Sequence, residues 1–264
     1  MAIRGILLAL ICLCMVSAFG YWRYKVMGES RGRAQIAIIR DTSDSIRNDC
    51  SQVVGLAERG LELPDIDTGS EITLFALGDD KTANEPRLLG EFRVPVIRRV
   101  IEGQRAAARE RENLLNGLSK RCGEIEQTQV SPIFQAIKRG VEHLRSVGSP
   151  DDSRYLFIQT DGEETVNLQV KRAIDAPNTK LNLPTPIQNA GVRITFCGMA
   201  ETVGTAVAAD NKVRHMSKQR DAQRSDRLRE VWLGVFTDPQ LVNFEPFCSK
   251  GDLGSVASAQ ADNH

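Results

Sequence analysis

Four short runs of almost unbroken apolar residues, AQIAIIR (34–40), EITLFALG (71–78), RYLFIQT (154–160) and VRITFCGM (192–199), alternate along the chain with longer amphipathic stretches. A strand exposed on one face alternates apolar with polar side chains. A strand covered on both faces stays apolar throughout, so these runs predict parallel strands buried between layers of helix. Helical stripes fill the intervals. Behind Asp44, the residues Ile46, Cys50, Val53, Val54 and Ala57 line one face of a helix. Behind Ser131, the residues Ile133, Ala136, Ile137, Val141 and Leu144 do so again, with Pro132 expected at the first helical position, where its missing N–H costs nothing. Residues 97–121 and 210–236 read as longer, charged surface helices, and Pro177, Pro184 and Pro186 make the stretch from Asn167 to Leu183 read mostly as loop. The alternation predicts an α/β domain over residues 34–248: a doubly wound, mostly parallel central sheet of about six strands flanked by helices. From residue 249 the tail is small and polar, and is expected to be flexible.

The first 33 residues have a different pattern. Gly5 to Phe19 carries no charge, with Arg4 in front and Arg23 and Lys25 behind. A run of this length can nearly cross a membrane and predicts a single-pass anchor. Val16-Ser17-Ala18 and Ala18-Phe19-Gly20 also offer the small residues of a cleavable signal peptide, and a buried core helix is the third reading. The cations behind the run outnumber those in front, which would keep that side cytoplasmic. Four cysteines in the remainder, Cys50, Cys122, Cys197 and Cys248, suit an oxidising compartment instead, and the expected location is a membrane-anchored domain on the periplasmic or extracellular side. If the domain is exported, the expected bridges are Cys50 to Cys122, both peripheral, and Cys197 to Cys248, which end neighbouring late elements.

Composition narrows the function. With 264 residues, 41% hydrophobic and 26% charged, the chain is globular and not fibrous or low-complexity. Thirty-four Lys and Arg against 34 Asp and Glu leave no net field to draw it onto nucleic acid. One late helix is locally basic (Lys212, Arg214, Lys218, Arg220, Arg224, Arg227, Arg229), but no aromatic side chains interleave with the cations as stacking on bases requires, so a solvated helix face is expected. No catalysis is expected either. His143 has no serine-nucleophile motif beside it, and no G-x-x-x-x-G-K-[ST] loop is present.

The chemistry gathers elsewhere. The first apolar run ends in Asp41-Thr42-Ser43-Asp44-Ser45, which by itself could be a helix cap. Two further elements follow in order: Ser131-Pro132-Ile133, a hydroxyl opening an amphipathic helix, and Thr160-Asp161-Gly162-Glu163, an acidic turn closing the third run. In an open parallel sheet the loops at the carboxyl ends of the strands share one crevice, so the three elements should converge there. Two carboxylates and three hydroxyls are hard oxygen donors suited to Mg2+ or Mn2+.

This ordered set resembles the von Willebrand factor type A (VWA) domain and its metal-ion-dependent adhesion site, over about residues 34–248. The resemblance implies a Rossmann-like fold and a metal held by Asp41, Ser43, Ser45, Ser131 and Asp161. Ser131 stands at the family's usual threonine, with Thr128 as runner-up for that role, and Asp44 stands where glycine is frequent. The stretch from Arg229 to Phe236 looks like the last long helix of bacterial members. The implied function is binding: a membrane-anchored module captures a protein ligand whose acidic residue completes the metal's shell. The alternative is an assembly subunit in which the metal only stabilises the fold, and a metal-assisted phosphoesterase would need a general base that the sequence does not display.

Overall fold

The computed structural model describes residues 33–43, 50–66, 69–77, 85–94, 104–125, 128, 130–176, 179–199, 218–245 and 248. The N-terminal segment through residue 32, Ser45 and the tail from residue 249 lie outside the described residues.

The strands are β1 (Ala34–Arg40), β2 (Glu71–Ala76), β3 (Arg87–Arg93), β4 (Ser153–Gln159), β5 (Val192–Cys197) and β6 (Val242–Glu245). The helices are α1 (Cys50–Leu61), α2 (Gln104–Gly123), α3 (Ile133–Ser146), α4 (Leu168–Asp175) and α5 (Lys218–Leu233). One sheet runs in the order β3-β2-β1-β4-β5-β6, with every neighbour parallel except the antiparallel pair β2 and β3. The fold is thus a doubly wound, mostly parallel α/β sheet.

The central strands are mostly apolar because both of their faces are buried. Ile36 and Ile38 pack with Val53, Leu56 and Leu118 of α1 and α2. Their neighbours Ala37 and Ile39 pack with Ile133, Ile137, Ile174 and Trp232 of α3, α4 and α5. Alternate side chains therefore enter two separate cores, each excluding water by burying apolar area.

Several elements depart from the expectation. β3 has charged residues among its apolar ones because it is an edge strand, with Arg87 and Leu88 exposed, and a one-sided strand lacks the continuous run that marks the centre. The stretch read as loop begins with α4. Its signal is short: Val170, Ala173 and Ile174 form a buried stripe, and the Asn167 side chain accepts hydrogen bonds from the N–H groups of Gln169 and Val170. The prolines all follow this helix and do not break it. Asn167→Ala should cost about 1 kcal/mol, the usual loss for an N-cap, measurable as a lower urea midpoint with an unchanged slope. Pro132 is the N-cap residue of α3 and not its first helical residue.

Two disulfides form, Cys50–Cys122 with Cα atoms 5.8 Å apart and Cys197–Cys248 at 5.0 Å. They are not peripheral. Cys122, Cys197 and Cys248 are buried in the core on the α1 and α2 side. Among the described residues no helix is long and apolar enough to cross a membrane.

Candidate metal centre

The chain leaves β1 toward one edge of the sheet and leaves β4 toward the other, so the order of strands reverses between them. Loops at such a switch point part from each other and open a crevice at the carboxyl ends of the strands. The ladder extends one residue past each end: the Asp41 N–H donates to the Gln159 carbonyl at 2.9 Å, and the Thr160 N–H donates to that of Cys197 at 3.1 Å. Asp41 and Thr160-Asp161 are thereby held on the rigid sheet. Ser131 arrives from the side, just ahead of α3, which lies close because Gly140 faces the sheet; a Cβ there would come within 3.1 Å of Leu156 and 3.2 Å of Ile39.

The Asp41 carboxylate is the hub. Its Oδ1 accepts from the Ser43 N–H at 2.9 Å and from the Ser131 hydroxyl at 3.3 Å, and its Oδ2 accepts from the Thr160 hydroxyl at 2.7 Å. Thr160 Oγ1 in turn accepts from the Gly162 N–H at 3.0 Å, and Asp161 Oδ1 accepts from the Glu163 N–H at 2.9 Å. Asp41, Ser43, Ser131 and Asp161 are all buried. Burial, reinforced by the nearby charge of Asp161, raises the Asp41 pKa to about 6 against the pull of its hydrogen-bond donors. Two buried carboxylates that repel each other are costly without a cation.

The sequence-predicted residues fare differently. Asp41, Ser43 and Ser131 share one hydrogen-bonded cluster, Asp161 stands beside the cluster's Thr160 with its charge felt at Asp41, and Ser45 lies outside the described residues. Thr128 is directed elsewhere. Its hydroxyl lies 3.2 Å from that of Thr42 and bonds the Val130 carbonyl at 3.0 Å, and its N–H holds the Thr42 carbonyl. Thr160 is the member that sequence reasoning passed over; its place directly before Asp161 at the end of a strand was the available signal. His143 packs its ring edge-on against Phe75 and meets the Thr73 hydroxyl at 3.1 Å, with burial lowering its pKa. Among the described residues no group of three or more His, Cys, Asp and Glu gathers to hold a metal, so the candidate donor set depends on its hydroxyls.

The basic helix is not simply solvated. Arg224 grips Glu163 with two hydrogen bonds, Nε to Oε1 at 2.7 Å and Nη2 to Oε2 at 2.5 Å, and also bonds the Ile174 carbonyl. Arg227 bonds the carbonyls of Ala173, Ala176 and Thr179 around the end of α4. Trp232 Nε1 donates to the Gly162 carbonyl at 3.0 Å. Gly162 has φ +86°, and a Cβ there would meet Met199 Sδ at 2.6 Å, so the turn after Asp161 accepts only glycine. α5 thus presses the acidic turn into place.

No protein-family model matches this chain, and no curated protein matches it. Solved structures do. They include the pilus adhesin SpaC from Lactobacillus rhamnosus GG (11% identity, TM-score 0.41, covering 88% of this chain and 30% of the adhesin). Others are the conserved hypothetical protein BatB from Bacteroides thetaiotaomicron (13%, TM-score 0.40, covering 87% and 98%) and the SpRpn10 VWA domain (9%, TM-score 0.42, covering 81% and 88%). The chain thus spans under a third of the adhesin's length. At such identities and scores these likenesses carry no functional inference.

Proposed function

We propose that the chain is a VWA-type binding module in which Asp41, Ser43, Ser45, Ser131 and Asp161 hold Mg2+ or Mn2+. The observation that carries this reading is the meeting of the Asp41, Ser131 and Thr160-Asp161 segments, three separate stretches of sequence, at the switch point of the sheet. Their donors fit the ion: carboxylate and hydroxyl oxygens suit a hard divalent cation. When bound, such a cation supplies a Lewis-acidic position to which an acidic side chain of a protein ligand can coordinate. The chain's own residues position the oxygens for such a ligand. Two disulfides support an oxidising compartment, reached through an N-terminal segment that we read as a single-pass membrane anchor.

A specific observation favours a second reading. Asp41, Ser131 and Asp161 are each no more than 2% exposed, as suits an assembly subunit whose metal serves the fold alone. The experiment is partner capture from a lysate of native membranes, in Mg2+, in EDTA and after Mg2+ is restored, beside thermal melts in the same buffers. Capture lost and regained with the metal supports the binding module. A melt that responds while capture does not supports the second reading, and a melt indifferent to metal overturns both.

A further inference from the structure

α3 begins without a local cap, since its N-cap residue is Pro132 and no side chain there bonds the free N–H groups. The missing acceptor comes from far along the chain. Glu164, 3% exposed, accepts from the Phe134 N–H through Oε2 at 2.6 Å, and through Oε1 from Val166 at 2.7 Å and Asn167 at 2.9 Å. One carboxylate thereby organises the loop that follows Asp161 and fastens that loop to the first turn of α3, where a negative charge also suits the helix dipole. The next residue completes the attachment. Thr165 Oγ1 accepts from the Ser131 N–H at 2.7 Å, and the Thr165 N–H donates to the Ser131 carbonyl at 3.2 Å.

A local serine or aspartate cap would hold α3 equally well. What the long-range cap adds is a fixed spacing between two donor loops: Ser131 is held on both sides of its backbone by the segment that carries Asp161. That spacing determines whether the Ser131 hydroxyl, 3.3 Å from Asp41 Oδ1, can share a ligand with Asp41 and Asp161.

We infer that Glu164, assisted by Thr165, is a positioning residue for the metal centre, tying the Ser131 loop to the Asp161 loop so that their oxygens converge on one cation. The inference rests on the metal-site reading proposed above. Glu164 itself is no ligand, because both of its oxygens are turned to backbone N–H groups.

The test compares wild type, Glu164→Gln, Thr165→Val and Asp41→Ala as full chains. Each is titrated with Mn2+, with the free ion read by electron paramagnetic resonance, and each is melted in EDTA. Glu164→Gln turns an amide N–H2 toward one of the three donors, and Thr165→Val removes only the acceptor for the Ser131 N–H without changing charge. The expected result is a Kd for Mn2+ raised about 10- to 100-fold by Glu164→Gln, the usual range for a residue that orients metal ligands, and raised several-fold by Thr165→Val. Both variants should melt a few degrees below wild type in EDTA, since each leaves a backbone N–H without its acceptor, a loss that by itself does not change Kd. If their EDTA melts fall while Kd holds, the brace is structural only and the inference is wrong. If Glu164→Gln alone weakens binding, the effect is one of charge and positioning is again refuted. Should Glu164→Gln fail to fold, the Kd of Thr165→Val decides alone. Wild type that binds, beside Asp41→Ala that does not, with both brace variants unaffected, overturns this inference and leaves the metal site standing. Wild type that does not bind overturns the two together.

Discussion

Asp41→Ala should abolish the response of the melting temperature to Mg2+ while leaving the metal-free protein about as stable as wild type. Two effects oppose each other in the metal-free state. The variant loses three hydrogen bonds, from Ser43, Ser131 and Thr160, at about 1 kcal/mol each. It also removes a buried carboxylate whose pKa is raised from 3.8 to about 6. That raised value already counts the hydrogen bonds, so at neutral pH desolvation and the repulsion from Asp161 outweigh them, and losing all of these together leaves the metal-free protein about as stable as wild type. With metal the two proteins differ. Binding to the native state contributes RT ln(1 + [L]/Kd), about 2.7 kcal/mol at a hundredfold excess, and the variant gains none of it.

The pH dependence carries the same signature. A carboxyl whose folded pKa lies above its unfolded value favours folding at pH below 3.8 and loses that contribution as pH rises toward 6. In EDTA, wild type should therefore lose stability relative to Asp41→Ala across this window. In Mg2+ the trend reverses, because protonation competes with the metal and its benefit grows toward neutral pH. Melts of both proteins at pH 5 and 7, with Mg2+ and with EDTA, check each part. A variant that responds to Mg2+ as wild type does would return the Asp41 cluster to the role of a helix cap.

Removing the Cys50–Cys122 bridge should cost about 4 kcal/mol. The two residues are 72 apart in sequence, and closing a loop of that length removes about this much chain entropy from the unfolded state. The shorter Cys197–Cys248 span of 51 residues should contribute almost as much, because the dependence on length is logarithmic. The Cys197–Cys248 bond is buried at both ends, whereas in the other Cys122 is buried and Cys50 half-buried, with Arg40 Nη1 2.6 Å from the Cys122 carbonyl and 2.9 Å from its sulfur. Mild reductant should thus open Cys50–Cys122 before Cys197–Cys248, which should stay intact until the domain unfolds. The Cys50→Ala/Cys122→Ala protein should melt on the order of 10 °C below wild type. Alkylation under denaturing conditions without reductant should label none of the four thiols in protein from its native compartment, and full labelling would remove the basis of the prediction.

How much of this was legible beforehand depended on whether the signal was local. β1, β2, β4 and β5 could be read directly because a strand buried on both faces carries a nearly continuous apolar run. The convergence of the Asp41 and Thr160-Asp161 loops followed from the same reading, since the parallel strands β1 and β4 put their carboxyl ends on one side. Edge strands β3 and β6 escaped, being one-sided, and so did α4, whose stripe of three buried residues spans barely more than one turn.

What the sequence determined by itself, then, was the layered fold and the segments facing the crevice, because burial and strand direction leave their mark within a window of a few residues. Tertiary structure alone brought Thr160 onto Asp41, turned Arg224 and Arg227 onto Glu163 and the end of α4, and capped α3 with Glu164. Each of these is a hydrogen bond between residues far apart in the chain. Its existence depends on the register of the strands and the seating of the helices, and no periodicity along the sequence encodes it.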